Sequence, residues 1–211
     1  MKAVIFDLDG TLIDSRTDIL AAFSSAFEGL GREVPPPDLL LRTIGMRLED
    51  CFLPFVEGDT TEADRAAALF RQWYATHFLN STRPFRGVEG MLARLSIRFP
   101  LAVCTMKKAF FARKIVSAFK WDPIFSAVVG SEEGFPPKPD PAMLLEICRR
   151  LRVEPEHAAY VGDTHTDGQT AFAAGMPFCF AGYGYGKLDG AGPVRVWKSA
   201  ESPGDVAALF D

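Results

Sequence analysis

The feature that most constrains this chain is a set of short runs that are apolar on both faces, at residues 3–6, 101–104, 124–129, 158–161 and 178–180. A strand with one wet face alternates apolar and polar residues, so a run without alternation has to be covered on both sides. Each run is bounded by Gly, Pro or polar residues, and amphipathic helical stretches lie between them. That rhythm predicts an α/β fold, a doubly wound, Rossmann-like parallel sheet with helices on both faces.

The spacing has one gap. After residue 101 the runs recur about every 20–35 residues, yet between Phe6 and Leu101 no strand-like run occurs. The intervening text is helical: residues 61–80 carry Ala63, Ala67, Phe70, Tyr74 and Phe78 at helical spacing. Ser15 and Asp18 suggest a capping box, with Asp in place of Glu, ahead of Ile19, Leu20, Phe23, Ala26, Phe27 and Leu30 on one helix face. Gly31 supplies the stop. Pro35-Pro36-Pro37 and the Arg83-to-Gly87 segment mark breaks near the edges. The expected organisation is a sheet domain from residues 1–14 and 85–211, with a helical domain, residues 15–84, inserted after the first strand.

With 211 residues, 48% of them hydrophobic and 24% charged, the chain has the composition of a globular protein. Its net charge of −4 argues against nucleic acid or anionic lipid as a partner. The four cysteines, Cys51, Cys104, Cys148 and Cys179, form no CxxC pair and no zinc-ligand spacing. Only a run of four apolar residues, Ala3 to Phe6, leads into Asp7, too few for a secretory signal, and no run approaches the ~18 apolar residues of a membrane span. A cytoplasmic monomer or homodimer with reduced thiols is the expectation.

Asp7-Leu8-Asp9-Gly10-Thr11 directly follows the first run. Alternate residues of extended chain face the same way, so Asp7 and Asp9 share a face, and Gly10 permits a sharp turn. A divalent cation relieves the repulsion of such a pair; the competing reading is an acidic capping turn. Gly162-Asp163-Thr164-His165-Thr166-Asp167 follows a later run, and Asp163 with Asp167 would complete an oxygen site suited to Mg2+. Asp163 or Thr166 as a helix cap is the alternative, and His165 is assigned no role.

Thr105 ends the run at 101–104 and offers a hydroxyl, while Met106 and Lys107 are expected to present backbone N–H groups at a helix start. Lys138 lies among Pro136, Pro137, Pro139 and Pro141, a rigid setting for a charge. All four elements lie at or beyond strand ends, where ligands bind in open parallel sheets.

In that order, the motifs identify the chain as similar to the haloacid dehalogenase superfamily, in its phosphoglycolate-phosphatase-like branch. Asp7 to Thr11 resembles the first motif, Thr105 the second, Lys138 in Lys-Pro-Asp-Pro the third, and Gly162-Asp163-Thr164 with Asp167 the fourth. The resemblance implies a core carrying a helical cap after the first motif and a magnesium-dependent phosphatase acting on a small phosphorylated metabolite. Asp7 would be the nucleophile that forms an aspartyl-phosphate, and Asp9 the acid and base. Mg2+ would be held by Asp7, the Asp9 carbonyl and Asp163, with Asp167 in support. Thr105, Met106 and Lys138 would hold the phosphoryl oxygens. Relatives often carry Asn where this chain has Met106, so one side-chain donor is missing. Arg42 and Arg47 in the inserted region are candidates for a substrate carboxylate or second phosphate.

Alternatives inside and outside the family are weaker. Dehalogenases lack the second aspartate, and phosphonatases need a cap lysine, whereas no lysine lies between Lys2 and Lys107. A sugar phosphomutase ranks second, since the inserted region has only His77 and Gly162 precedes Asp163. A non-catalytic binding protein on this fold leaves the four-part set unexplained. Residues 182–186, Gly-Tyr-Gly-Tyr-Gly, do not fit GxGxxG and suggest a glycine-rich loop at the sheet edge; no GxSxG elbow occurs.

Overall fold

The computed structural model describes all 211 residues, Met1–Asp211. Along the chain come β1 (Ala3–Phe6), β2 (Ile13–Asp14), α1 (Arg16–Leu30), α2 (Pro37–Leu41), α3 (Leu48–Phe52), α4 (Thr60–His77) and β3 (Arg83–Pro84). Then follow α5 (Val88–Ser96), β4 (Leu101–Lys108), α6 (Ala109–Ala118), β5 (Phe125–Ser131), α7 (Ala142–Leu151) and β6 (Ala158–Gly162). The chain ends with α8 (His165–Ala173), β7 (Phe178–Ala181), β8 (Val196–Ala200) and α9 (Pro203–Ala208). It divides into two compact units, Met1–Ile13 with Pro84–Asp211, and Asp14–Arg83.

The first unit is built on a six-stranded sheet in the order β5-β4-β1-β6-β7-β8. Every neighbouring pair is parallel. Outward from β1 the chain fills β4 and β5 on one side, then β6, β7 and β8 on the other. The order therefore reverses between β1 and β6, and the carboxyl ends there open a crevice of the kind that takes ligands in doubly wound sheets. All four residues of β1 are fully buried, as its unbroken apolar run requires. On one face, Ile5, Ala102, Cys104 and Val129 join a core with Met143, Leu144 and Ile147 of α7. Those α7 residues recur at helical spacing, which is why that helix lies on the sheet.

The five expected strands are all present. The sixth, β8, left no such signal, because Val196, Trp197, Lys198 and Ser199 of this edge strand are exposed. The expectation of no strand between Phe6 and Leu101 needs correction. β2 and β3, of two residues each, pair as a separate two-stranded sheet and are too short to impose a periodicity.

The second unit contains α1 to α4 around an aromatic core of its own. Phe23 lies 5.1 Å from both Phe52 and Phe70, and Phe70 stacks on Tyr74 at 5.4 Å. Gly31 ends α1 in the left-handed conformation, φ 70°, where its N–H reaches the Glu28 carbonyl. The expected capping box at Ser15 does not form. Ser15 makes no side-chain cap hydrogen bond, and Asp18 instead accepts from the Ser81 and Thr82 N–H groups and the Thr82 hydroxyl. A carboxylate buried to 2% exposure has to be satisfied, and three donors 63–64 residues away in sequence do this better than the first turn could.

Candidate active site

β1 delivers Asp7 to the crevice, and the Asp7 N–H extends the pairing with β6 by bonding the Val161 carbonyl at 2.8 Å. The chain then turns tightly: the Leu8 carbonyl accepts from the N–H groups of Thr11, Leu12 and Ile13. Gly10 makes this possible with φ 90°, and a Cβ there would lie 2.6 Å from the Asp163 carboxyl carbon. Asp7 and Asp9 thus both leave the end of β1, and the Asp9 carboxylate meets the Lys107 ammonium at 3.0 Å.

β6 delivers the second acidic pair. Asp163 is fully buried; its Oδ1 accepts from the Thr11 hydroxyl at 3.3 Å, and its Oδ2 from the backbone N–H of Tyr185 and Gly186 at 3.0 and 2.9 Å. The glycine-rich segment is therefore not an edge loop. It follows β7, which β8 covers on its outer side, and it folds back onto Asp163. A Cβ on Gly184 would lie 2.6 Å from Asp163 Oδ2, so only glycine permits this approach. The Tyr183 and Tyr185 hydroxyls tie the segment to the carbonyls of Thr11 and Ile13.

The cap of α8 also differs from expectation. Neither Asp163 nor Thr166 caps it; Thr164 does, in a capping box whose reciprocal partner is Asp167. Asp167 Oδ2 takes the Thr164 N–H and hydroxyl, while its Oδ1 faces Lys138 and Tyr160. With both oxygens so engaged, Asp167 is suited to orient Lys138 rather than to ligate an ion directly.

Lys138, from the proline-rich loop after β5, is 7% exposed and brings this cluster together. Its ammonium lies 2.8 Å from Asp7 Oδ1 and 2.7 Å from Asp167 Oδ1, and it also bonds the Tyr160 hydroxyl. That hydroxyl has Asp167 Oδ1 at 2.8 Å and the Cys104 carbonyl at 3.1 Å as acceptors. Burial raises Asp7 well above the carboxylate range, and the attraction of Lys138 does not cancel it. Burial, with the Asp167 charge in second place, pushes Asp163 to about 7 against two backbone hydrogen bonds. Burial alone would depress Lys138, yet Asp167 and Asp7 outweigh it and hold the ammonium above its ordinary value. Asp167 resists the effect of burial, mainly through Lys138, and stays below the ordinary value.

Carboxylate oxygens of Asp7, Asp163 and Asp167 all lie within 4.8 Å of one another, and one ammonium cannot neutralise three such charges. The donors are all hard oxygens, and the pressure on Asp7 and Asp163 to stay protonated is what a small divalent cation would relieve. The residues fit magnesium.

Thr105 is 1% exposed at the crevice end of β4, and its Oγ1 accepts the Lys107 N–H at 3.1 Å, which leaves its own proton to donate. The expected helix start at Met106 and Lys107 is wrong: β4 runs on to Lys108 and α6 begins at Ala109. From Cys104 to Lys108 β4 advances four residues while β5 advances two, Val129 to Ser131, so the strand bulges and re-aims these side chains. Met106 turns its sulfur to the Lys138 N–H at 3.3 Å and packs against the core. Arg42 and Arg47 belong to the other unit. Arg42 is exposed, and Arg47 pairs with Glu49 at 3.0 Å.

Sequence reasoning missed three contributors. Tyr160 was hidden inside an apolar run, and the Lys107 ammonium was overlooked in favour of its backbone. The Tyr185 and Gly186 amides could have been suspected only from the glycines around them.

Comparison with known proteins agrees with this geometry. The sequence profile described as haloacid dehalogenase-like hydrolase matches residues 4–181. A phosphoglycolate phosphatase of Psychrobacter arcticus is 32% identical over 223 aligned positions, covering 100% of this chain and 94% of the relative. One from Aquifex aeolicus is 31% identical, covering 100% and 97%. Among solved structures, a haloacid dehalogenase-like family hydrolase of Streptococcus pneumoniae superposes with a TM-score of 0.92 at 25% identity, covering 100% of this chain and 99% of that one. With the crevice, its carboxylates and the matched length all in agreement, this chain belongs to the haloacid dehalogenase-like hydrolases.

Proposed function

We propose that the chain hydrolyses a small phosphate monoester through a phosphorylated Asp7. The carrying observation is Asp7 itself, held at the sheet crevice with Oδ1 on Lys138 and Asp163 beside it. Asp7 Oδ2 is then the oxygen left to attack phosphorus, and the bond from phosphorus to the alcohol oxygen breaks. Asp9 gives that oxygen a proton. Water next attacks the aspartyl-phosphate, Asp9 takes a proton from it, and inorganic phosphate and free Asp7 result. The Thr105 hydroxyl and the Lys138 ammonium hold phosphoryl oxygens as charge shifts among them. Magnesium, bound through Asp7, the Asp9 carbonyl and Asp163, would neutralise the anions that must meet.

The Asp14–Arg83 unit serves in this reading as the cap that selects the alcohol portion. Relatives named phosphoglycolate phosphatase support a carboxylate-bearing ester as substrate. Of the two arginines Arg42 is the better carboxylate ligand, because Arg47 is already tied to Glu49. Arg42→Ala is expected to raise KM for carboxylate-bearing esters about tenfold and to leave p-nitrophenyl phosphate unaffected. Equal kinetics across the panel would remove Arg42 from the site. No helix is long and apolar enough to cross a membrane, and all four thiols are free and buried, which suits a reaction in the reducing cytoplasm.

The test of the reading is phosphate release from a panel of esters with magnesium and with chelator, joined to thermal melts. Turnover is expected only with the metal. Asp163 carries a folded-state value of about 7 against 3.8 ordinarily, so its protonated form stabilises the metal-free fold at low pH. That contribution is lost as pH rises from about 4 through 7, and magnesium replaces it by holding the ionised form. The rise in Tm on adding magnesium should therefore be small at pH 5 and large at pH 8. A pH-independent gain, or turnover in excess chelator, would count against the metal assignment.

A further inference from the structure

We infer that Lys107 is a positioning residue that fixes the carboxyl of Asp9 for proton transfer to the leaving alcohol. The inference rests on the reading of Asp9 as acid and base given above.

The two side chains meet at 3.0 Å with exposures of 7% and 11%, so the pair is poorly screened by solvent. A lysine spends considerable conformational entropy to be held in this way, and an ammonium so enclosed needs a charge partner. The residues reach each other from adjacent strands: Asp9 lies in the turn beyond β1, and Lys107 in the bulge near the end of β4. Without the two extra residues of that bulge, the side chains beyond Thr105 would keep the strict alternation of the strand.

The turn sets the backbone of Asp9. Its register is set by the bridge to Ile13 and by the Gly10 N–H on the Ile13 carbonyl at 2.9 Å. The Lys107 contact to Oδ2 acts on the two side-chain torsions of Asp9. General acid catalysis depends on the proton lying within hydrogen-bond reach of the departing oxygen, so loss of that constraint weakens the transfer. Lys107 could instead be a ligand for the phosphoryl group, but that role would affect every ester alike.

Leaving-group dependence separates these roles. A simple alkyl phosphate needs its alkoxide protonated, whereas p-nitrophenolate departs as an anion. Lys107→Met is expected to lower kcat by roughly 10–100-fold on the alkyl ester and by no more than about threefold on p-nitrophenyl phosphate. Asp9→Asn should show the same bias more strongly, and Lys107→Arg should recover most of the alkyl activity. Lys107→Gln stands in if the methionine variant does not fold by circular dichroism. Equal losses on both esters, a rise in KM alone, or no loss overturns the inference. If Asp9→Asn shows the bias and the Lys107 variants do not, only the role of Lys107 fails. If Asp9→Asn shows none, the acid-base reading of Asp9 fails and the inference with it.

Discussion

Asp7→Asn is expected to lower kcat by at least about 10⁴-fold while the protein remains folded. The amide has the size of the carboxylate, and its oxygen can still accept from Lys138, which lies 2.8 Å from Asp7 Oδ1. What disappears is the nucleophile, and with it the route that divides one displacement into two. Because burial already opposes ionisation of Asp7, a neutral residue there is not expected to lower Tm. Acid quenching of a reaction with labelled ester should trap phosphoprotein in the wild type and none in the variant. Turnover above roughly 1% of wild type in the variant would take Asp7 out of the role of nucleophile.

Lys138→Met should damage both activity and fold. The ammonium has three partners in an enclosed site, and its removal strands Asp7 and Asp167 without their shared counter-charge. Breaking a buried pair by deleting one member typically costs about 3–5 kcal/mol, and losing a preorganised donor to a reacting oxygen costs about 10²–10³-fold in kcat. Urea unfolding with and without magnesium measures the first effect, and the metal should recover part of it by neutralising Asp7. Lys138 would be an ordinary buried cation, not the centre of the site, if the variant kept its urea midpoint and its turnover.

The parts of this fold legible in the sequence are those where one residue type has one physical use. The runs of β1, β4 and β6 could be read because a strand covered on both faces has no polar alternate. Asp7, Thr105, Lys138, Asp163 and Asp167 could be read because each follows such a run, and the strand order brings them to one crevice. β8 could not, since an exposed edge strand looks like loop. Asp18 misled for a different reason: its local spacing matched a cap, while its donors lie at Ser81 and Thr82, beyond any local pattern. Tyr160 carried no signal because its ring belongs to the core while its hydroxyl belongs to the site. Lys107 was placed at a helix start because a bulge cannot be foreseen from a strand of ordinary composition.

The amides that hold Asp163 give the site an unusual mutational profile. Peptide N–H groups survive any change of side chain except to proline, so position 185 can change its side chain without withdrawing its donor from Asp163. Positions 184 and 186 have no such latitude, since an added Cβ would lie 2.6 Å from Asp163 Oδ2 at the first and 2.2 Å from the Asp163 carbonyl oxygen at the second. A scan through this segment should therefore find its most sensitive residues at the two glycines that flank Tyr185, three and five positions past the end of the region that the family profile covers.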